Sequence, residues 1–289
     1  MISELVLHPQ TKQDMDVYIS SPSHATIILG GPGIGKSSIA NYLVNQVLGE
    51  NAEKAINNAH LLHIKPEKNV ITIEQVRGAQ DFVRLKTAGS NQIRRAIIVE
   101  QAQTMTTEAQ NAFLKLLEEP PEDTIIILTA NSKDNLLPTI VSRAQKLVVR
   151  PPKKYDIEQH FSVKHSLPDV TKAYLLSKGH PGLMEDILTG ANEGEMTKYI
   201  DMAKQLIVSK PFERLVIVDQ FSKKKDDIPG LLWALLRVSD AAMQQAAAKD
   251  NTKVVQYWVN VQKQVLQAQD SLPANPQPKL LLTNLALHL

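Results

Sequence analysis

The run "GGPGIGKS", residues 30–37, has the types and spacing to hold a phosphate chain. Its glycines let backbone N–H groups turn inward around an anion, and a helix opening at Lys36 would aim its positive end at the same place. The pattern fits G-x-x-x-x-G-K-[ST], with an apolar run before it and helical spacing after it, the context that gives the motif its meaning. Gly30, Gly31, Pro32, Gly33, Ile34, Gly35, Lys36, Ser37 and Ser38 are therefore the candidate nucleotide-binding residues. Lys36 would reach the β and γ oxygens, and Ser37 would hold Mg2+.

A second feature qualifies the first. Such a site needs a strand-end carboxylate for the metal and a group to activate or orient water. The apolar run "AIIV" (96–99) ends in Glu100 and Gln101. Glu100 keeps the charge needed for Mg2+ but is one methylene longer than aspartate. Gln101 stands at the general-base position, and an amide can orient water but cannot accept its proton.

Alternating elements would position these groups. The spacing predicts strands at 25–31, 60–64, 95–100, 124–130 and 145–149, and helices at 37–49, 73–85 and 107–119. The last helix would open with a Thr107/Gln110 capping box and stop at Pro120-Pro121. Strands alternating with helices argue for a parallel sheet covered on both faces. Pro151-Pro152 marks a boundary, after which the pattern is helical, with Trp233 and Trp258 expected in a helical core.

Composition narrows the function class. The chain has 289 residues, 43% of them apolar, and a formal net charge of +2. Any contact with nucleic acid must come from a local patch. With no cysteine there is neither a disulfide nor a thiolate metal site, which suits a cytoplasmic location. His60 and His63 alone fall short of a structural zinc set, so no zinc is expected. No apolar run approaches the ~18–20 residues of a membrane span, and the first residues lack a secretion pattern.

Residues 100–148 resemble bacterial clamp-loader subunits, AAA+ proteins that open a sliding clamp and load it on primed DNA. The likeness is carried by "EQAQ", "LLEEPP" and "TIVSRA", and continues at 24–40, "ITIEQVR" (71–77), "GHPGL" (179–183) and 275–289. It implies an α/β P-loop AAA+ core with a parallel five-stranded sheet (1–151), a small helical lid domain (152–192) and an all-α collar domain for oligomerisation (193–289). It implies ATP and Mg2+ as cofactors. The implied partners are the gamma/tau and delta subunits and the sliding clamp, with primed DNA reached through the assembled complex and no membrane involved. It makes Arg143 an arginine finger serving a neighbour's ATP site, and Asn131 the first sensor of the γ-phosphate.

Within that family, motor subunits keep an Asp-Glu pair and a second-sensor arginine. Here the corresponding positions hold Glu100-Gln101 and Gly182, which look like the non-motor, delta-prime form. The resemblance thus implies a stator that binds ATP, hydrolyses it poorly and donates Arg143. An active gamma/tau-like ATPase and a DNA-associated AAA+ protein outside replication stay open. Unlike its relatives, the chain carries no cysteine-ligated zinc module. Arg77, Arg84, Lys86, Arg94 and Arg95 read as a solvated basic face, with contact to template DNA the alternative.

Overall fold

The computed structural model describes residues 6–49, 60–84, 93–134, 136–190, 195–223, 225–274 and 276–289. The chain divides at Ile157 into two compact units. Most of 49–60, together with Leu85, Lys86 and most of the glycine-bounded segment 190–194, lies outside the described residues.

The first unit is built on β1 (Ala25–Leu29), β2 (Leu61–Ile64), β3 (Arg95–Val99), β4 (Thr124–Ala130) and β5 (Gln145–Val148). All pair in parallel, in the order β2-β3-β4-β1-β5. Strands β3 and β4 are short runs rich in β-branched residues and buried from end to end, as expected for a sheet covered on both faces. Alternate residues feed two apolar layers. Ile27, Ile97, Val99, Ile126 and Leu128 face one layer, completed by α3 (Ile73–Arg84) and α4 (Thr107–Glu118). Ile28, Ile98, Ile125 and Ile127 face the other, with α1 (Pro9–Ser20) and α2 (Lys36–Leu48). Helix α5 (Pro138–Arg143) follows β4.

Three details differ from the sequence reading. Helix α1 was not foreseen. It buries only Thr11, Met15 and Tyr18, one narrow stripe in an otherwise polar segment, which leaves little periodic signal. The cap of α4 is Thr106 and not Thr107, its side chain accepting from the Ala109 amide. Gln110 is buried instead, donating to the Met105 carbonyl and accepting from the Leu137 amide, and so ties α4 to the start of α5. Arg95 does not belong to a solvated face. It is 5% exposed within β3, and its guanidinium pairs with Asp123 at 2.6 Å and donates to the Phe82 and Val83 carbonyls. Arg94 joins the same carboxylate at 3.1 Å.

The division falls within α6 (Lys154–Phe161). The second unit holds α7 (Leu167–Ser177), α8 (Pro181–Thr189), α9 (Glu195–Val208), α10 (Pro211–Phe221), α11 (Ile228–Ala247), α12 (Thr252–Ser271) and α13 (Pro278–His288). The sequence reading separates 152–192 from 193–289. Here Leu176 and Leu183 share one apolar cluster with Leu231, Leu232, Leu235, Val265 and Leu282. Helices of 11 and 9 residues cannot bury their apolar faces alone, so α7 and α8 draw on the longer ones. Trp233 and Trp258 are half-buried against that cluster, and the Arg237 guanidinium lies over the Trp233 ring. Among the described residues no helix is long and apolar enough to cross a membrane.

Candidate nucleotide site

The glycine-rich run leaves the carboxyl end of β1 and closes on α2, whose first residue is Lys36. The turn needs glycine at two places for different reasons. Gly35 caps α2 at φ 95°, where a side chain would be strained. At Gly30 a Cβ would meet Ile34 Cγ2 at 2.9 Å and Val149 Cβ at 3.2 Å. The loop is thereby pressed against the strand ends, with the N-terminus of a 13-residue helix behind it. Ser37 is half-buried and Ser38 exposed on the first turn of α2.

Lys36 is buried and folds back over the loop. Its Nζ donates to the Gly30 carbonyl at 2.7 Å, the Gly31 carbonyl at 2.9 Å and Asn131 Oδ1 at 2.9 Å. Burial pushes its ammonium down to about 8. The residue expected as first sensor thus meets the lysine of the phosphate loop, because β4 neighbours β1 and both end at the same edge of the sheet. The Asn131 amide is itself held by Gln103 Oε1.

Glu100 follows β3 at that same edge. The close approach of His63 Nε2 is the main influence lowering its carboxyl to about 2, with smaller help from Ser37 and Lys65 against the opposing effect of burial. Ser37, expected with Glu100 at a metal, is one of the smaller influences on that carboxyl. Glu100 is also already partnered, with His63 Nε2 2.5 Å and Lys65 Nζ 3.4 Å from its Oε1. That set fits Mg2+ poorly. Two basic groups face the carboxylate and leave a hard cation no free oxygen at Oε1. His63 and Lys65 were missed as site residues. Their spacing of two, which puts both on one face of a strand, was the available signal.

Gln101 has left-handed backbone, φ 50° and ψ 49°, and its amide donates to Thr129 Oγ1 at 3.0 Å. Its side chain is exposed. Arg143 closes α5, pairs with Glu118 at 2.9 Å and donates to the Thr139 carbonyl. It is partly exposed on the surface of the first unit. Gly182 lies in the first turn of α8, in the second unit. His60 Nδ1 donates to the Arg94 carbonyl at 2.8 Å.

Residues 12–153 match the family described as DNA polymerase III, delta subunit. DNA polymerase III subunit delta' of Pseudomonas aeruginosa is 34% identical over 137 residues, 42% of this chain and 41% of that protein. The chain thus spans less than half the length of that relative. Subunit delta' of Bacillus subtilis is 25% identical over 286 residues, 92% of this chain and 86% of that protein. A solved DNA polymerase III gamma subunit-related protein from Thermotoga maritima has a TM-score of 0.47 and 21% identity, covering 96% of this chain and 98% of that one. By these matches residues 12–153 are similar to the DNA polymerase III delta subunit family, and the chain as a whole is similar to bacterial delta' subunits.

Proposed function

We propose that this chain is the delta-prime-type, non-motor subunit of a clamp loader. It helps place a sliding clamp on primed DNA in DNA replication, in a hetero-oligomer with gamma/tau-type and delta-type subunits. It binds ATP through residues 30–38, hydrolyses it slowly, and presents Arg143 to the ATP site of a neighbour. The observation that carries this reading is an intact phosphate loop beside Gln101. The loop, Lys36 and the α2 N-terminus are arranged for an anion, yet the side chain at the base position is an exposed amide. Loss of a positioned base typically lowers a rate ~10²–10⁴-fold.

Arg143 suits the role given to it. Its pair with Glu118 is partly exposed on both sides, and such pairs contribute only ~0.2–1 kcal/mol, so its release toward a neighbour's phosphate costs little. A guanidinium delivered there would stabilise charge on the transferring phosphoryl group. The test is ATP binding and turnover by the purified full chain, followed by clamp loading in a reconstituted complex. Binding with negligible turnover is expected. Turnover by the isolated chain at the ~1–100 s⁻¹ of competent phosphoryl-transfer enzymes would instead make it a motor subunit, the reading that the retained Glu100 carboxylate favours.

A further inference from the structure

Strands β2 and β3 pair in parallel with Ile64 opposite Val99. That register carries His63 and Lys65 to the carboxylate that follows β3. Both approach one oxygen, Glu100 Oε1, His63 Nε2 at 2.5 Å and Lys65 Nζ at 3.4 Å. Ser37, on the first turn of α2, exerts a smaller lowering influence on the same carboxyl. Basic side chains thus stand where a phosphate-bound cation would meet the protein. Mg2+ demands oxygen ligands in near-ideal octahedral geometry at ~2.0–2.1 Å. A carboxylate facing an ammonium and an imidazole offers it neither a free oxygen at Oε1 nor a surplus of negative charge.

Resting on the nucleotide-site reading above, we infer that this chain holds a nucleoside triphosphate without a divalent cation, because His63 and Lys65 occupy the Glu100 carboxylate that would otherwise take one. The phosphates are then balanced by Lys36, the α2 N-terminus and the Lys65 ammonium. Oxygen ligands for a metal, a requirement of phosphoryl transfer, are dispensable for retention alone. His63 and Lys65 act as positioning residues that hold the Glu100 carboxylate.

The test is calorimetric titration of the full chain with ATP, once in EDTA and once in excess Mg2+. The two dissociation constants are expected to agree within about threefold. The double variant His63→Ala/Lys65→Ala frees Glu100. It should lose about tenfold or more in affinity in EDTA and recover affinity when Mg2+ is added. Wild-type binding that appears only with Mg2+ overturns the inference and leaves the nucleotide site standing. Absence of binding in both buffers, with Lys36→Ala indistinguishable from wild type, overturns the nucleotide site as well. A folded double variant that binds as wild type does in EDTA overturns the role of the two basic residues. Should the double variant fail to fold, the wild-type comparison still decides whether the metal is dispensable.

Discussion

Lys36 Nζ and Asn131 Oδ1, 95 positions apart in the chain, are joined by a 2.9 Å hydrogen bond. Lys36 is therefore tied to the residue expected as first sensor. On the proposed reading, triphosphate oxygens would replace the acceptors that hold the ammonium, and Asn131 would both restrain the lysine and stand beside its ligand.

Asn131→Ala should show both effects. Removal of one acceptor from a buried ammonium is expected to lower stability by ~1–3 kcal/mol, read as a shift in denaturant midpoint. Affinity for ATP should fall more than affinity for ADP, because only the triphosphate has a γ oxygen within reach of this position. Equal losses for the two nucleotides would confine Asn131 to holding Lys36.

Gln101→Glu is not expected to create a motor. A carboxylate would restore a base, but the site would still have Glu100 covered by His63 and Lys65, and the chain would still carry glycine at 182, where the resemblance expects a second-sensor arginine. Single-turnover measurements on the isolated chain should show less than about a tenfold gain, against the ~10²–10⁴-fold a well-placed base supplies. A gain of that full size would refute this account of the site.

Arg143→Ala should leave melting temperature and ATP affinity of the isolated chain nearly unchanged, since partly exposed substitutions of this kind cost within ~0.5 kcal/mol. In the reconstituted clamp loader the same change should lower DNA-stimulated ATP turnover partially and clamp loading further. An arginine supplied in trans is worth ~10³–10⁵ at the site it serves. Arg143→Lys should not rescue, because an ammonium lacks the planar fork. Wild-type loading by the alanine variant would reduce Arg143 to a surface partner of Glu118.

Asp123 anchors the buried end of β3. Burial pushes its carboxyl up, but hydrogen bonds from Arg95 and Thr124 and the charges of Arg95 and Arg94 outweigh this and leave it below its ordinary value. The stability it contributes is present above the pKa of the unfolded chain, and is lost as pH falls through the lower native value. Asp123→Ala would leave the buried Arg95 guanidinium without its carboxylate, at a cost of ~3 kcal/mol or more in the first unit. The variant should also lose the part of the acid-unfolding response that Asp123 carries. Acid titration by circular dichroism, with the wild type alongside, tests both expectations. An unaltered midpoint would show that the surrounding carbonyls suffice for Arg95.

The local sequence determined a good deal. The spacing of "GGPGIGKS", the β-branched runs that make β1, β3 and β4, and the apolar stripes of α2, α3 and α4 are near-neighbour patterns, and each formed within a residue or two of where it was expected. The identities of Glu100 and Gln101 were equally plain. Tertiary structure alone decided what those residues meet. Strand order and parallel register put His63 and Lys65 on Glu100, Asn131 on Lys36 and Asp123 on Arg95, pairings between segments with no local pattern in common. The same reason hid the burial of Arg95 and the core shared by α7, α8 and the longer helices. A side chain's type states which bonds it can make, but its partner is fixed only when distant segments pack and leave each buried polar group one place to pair.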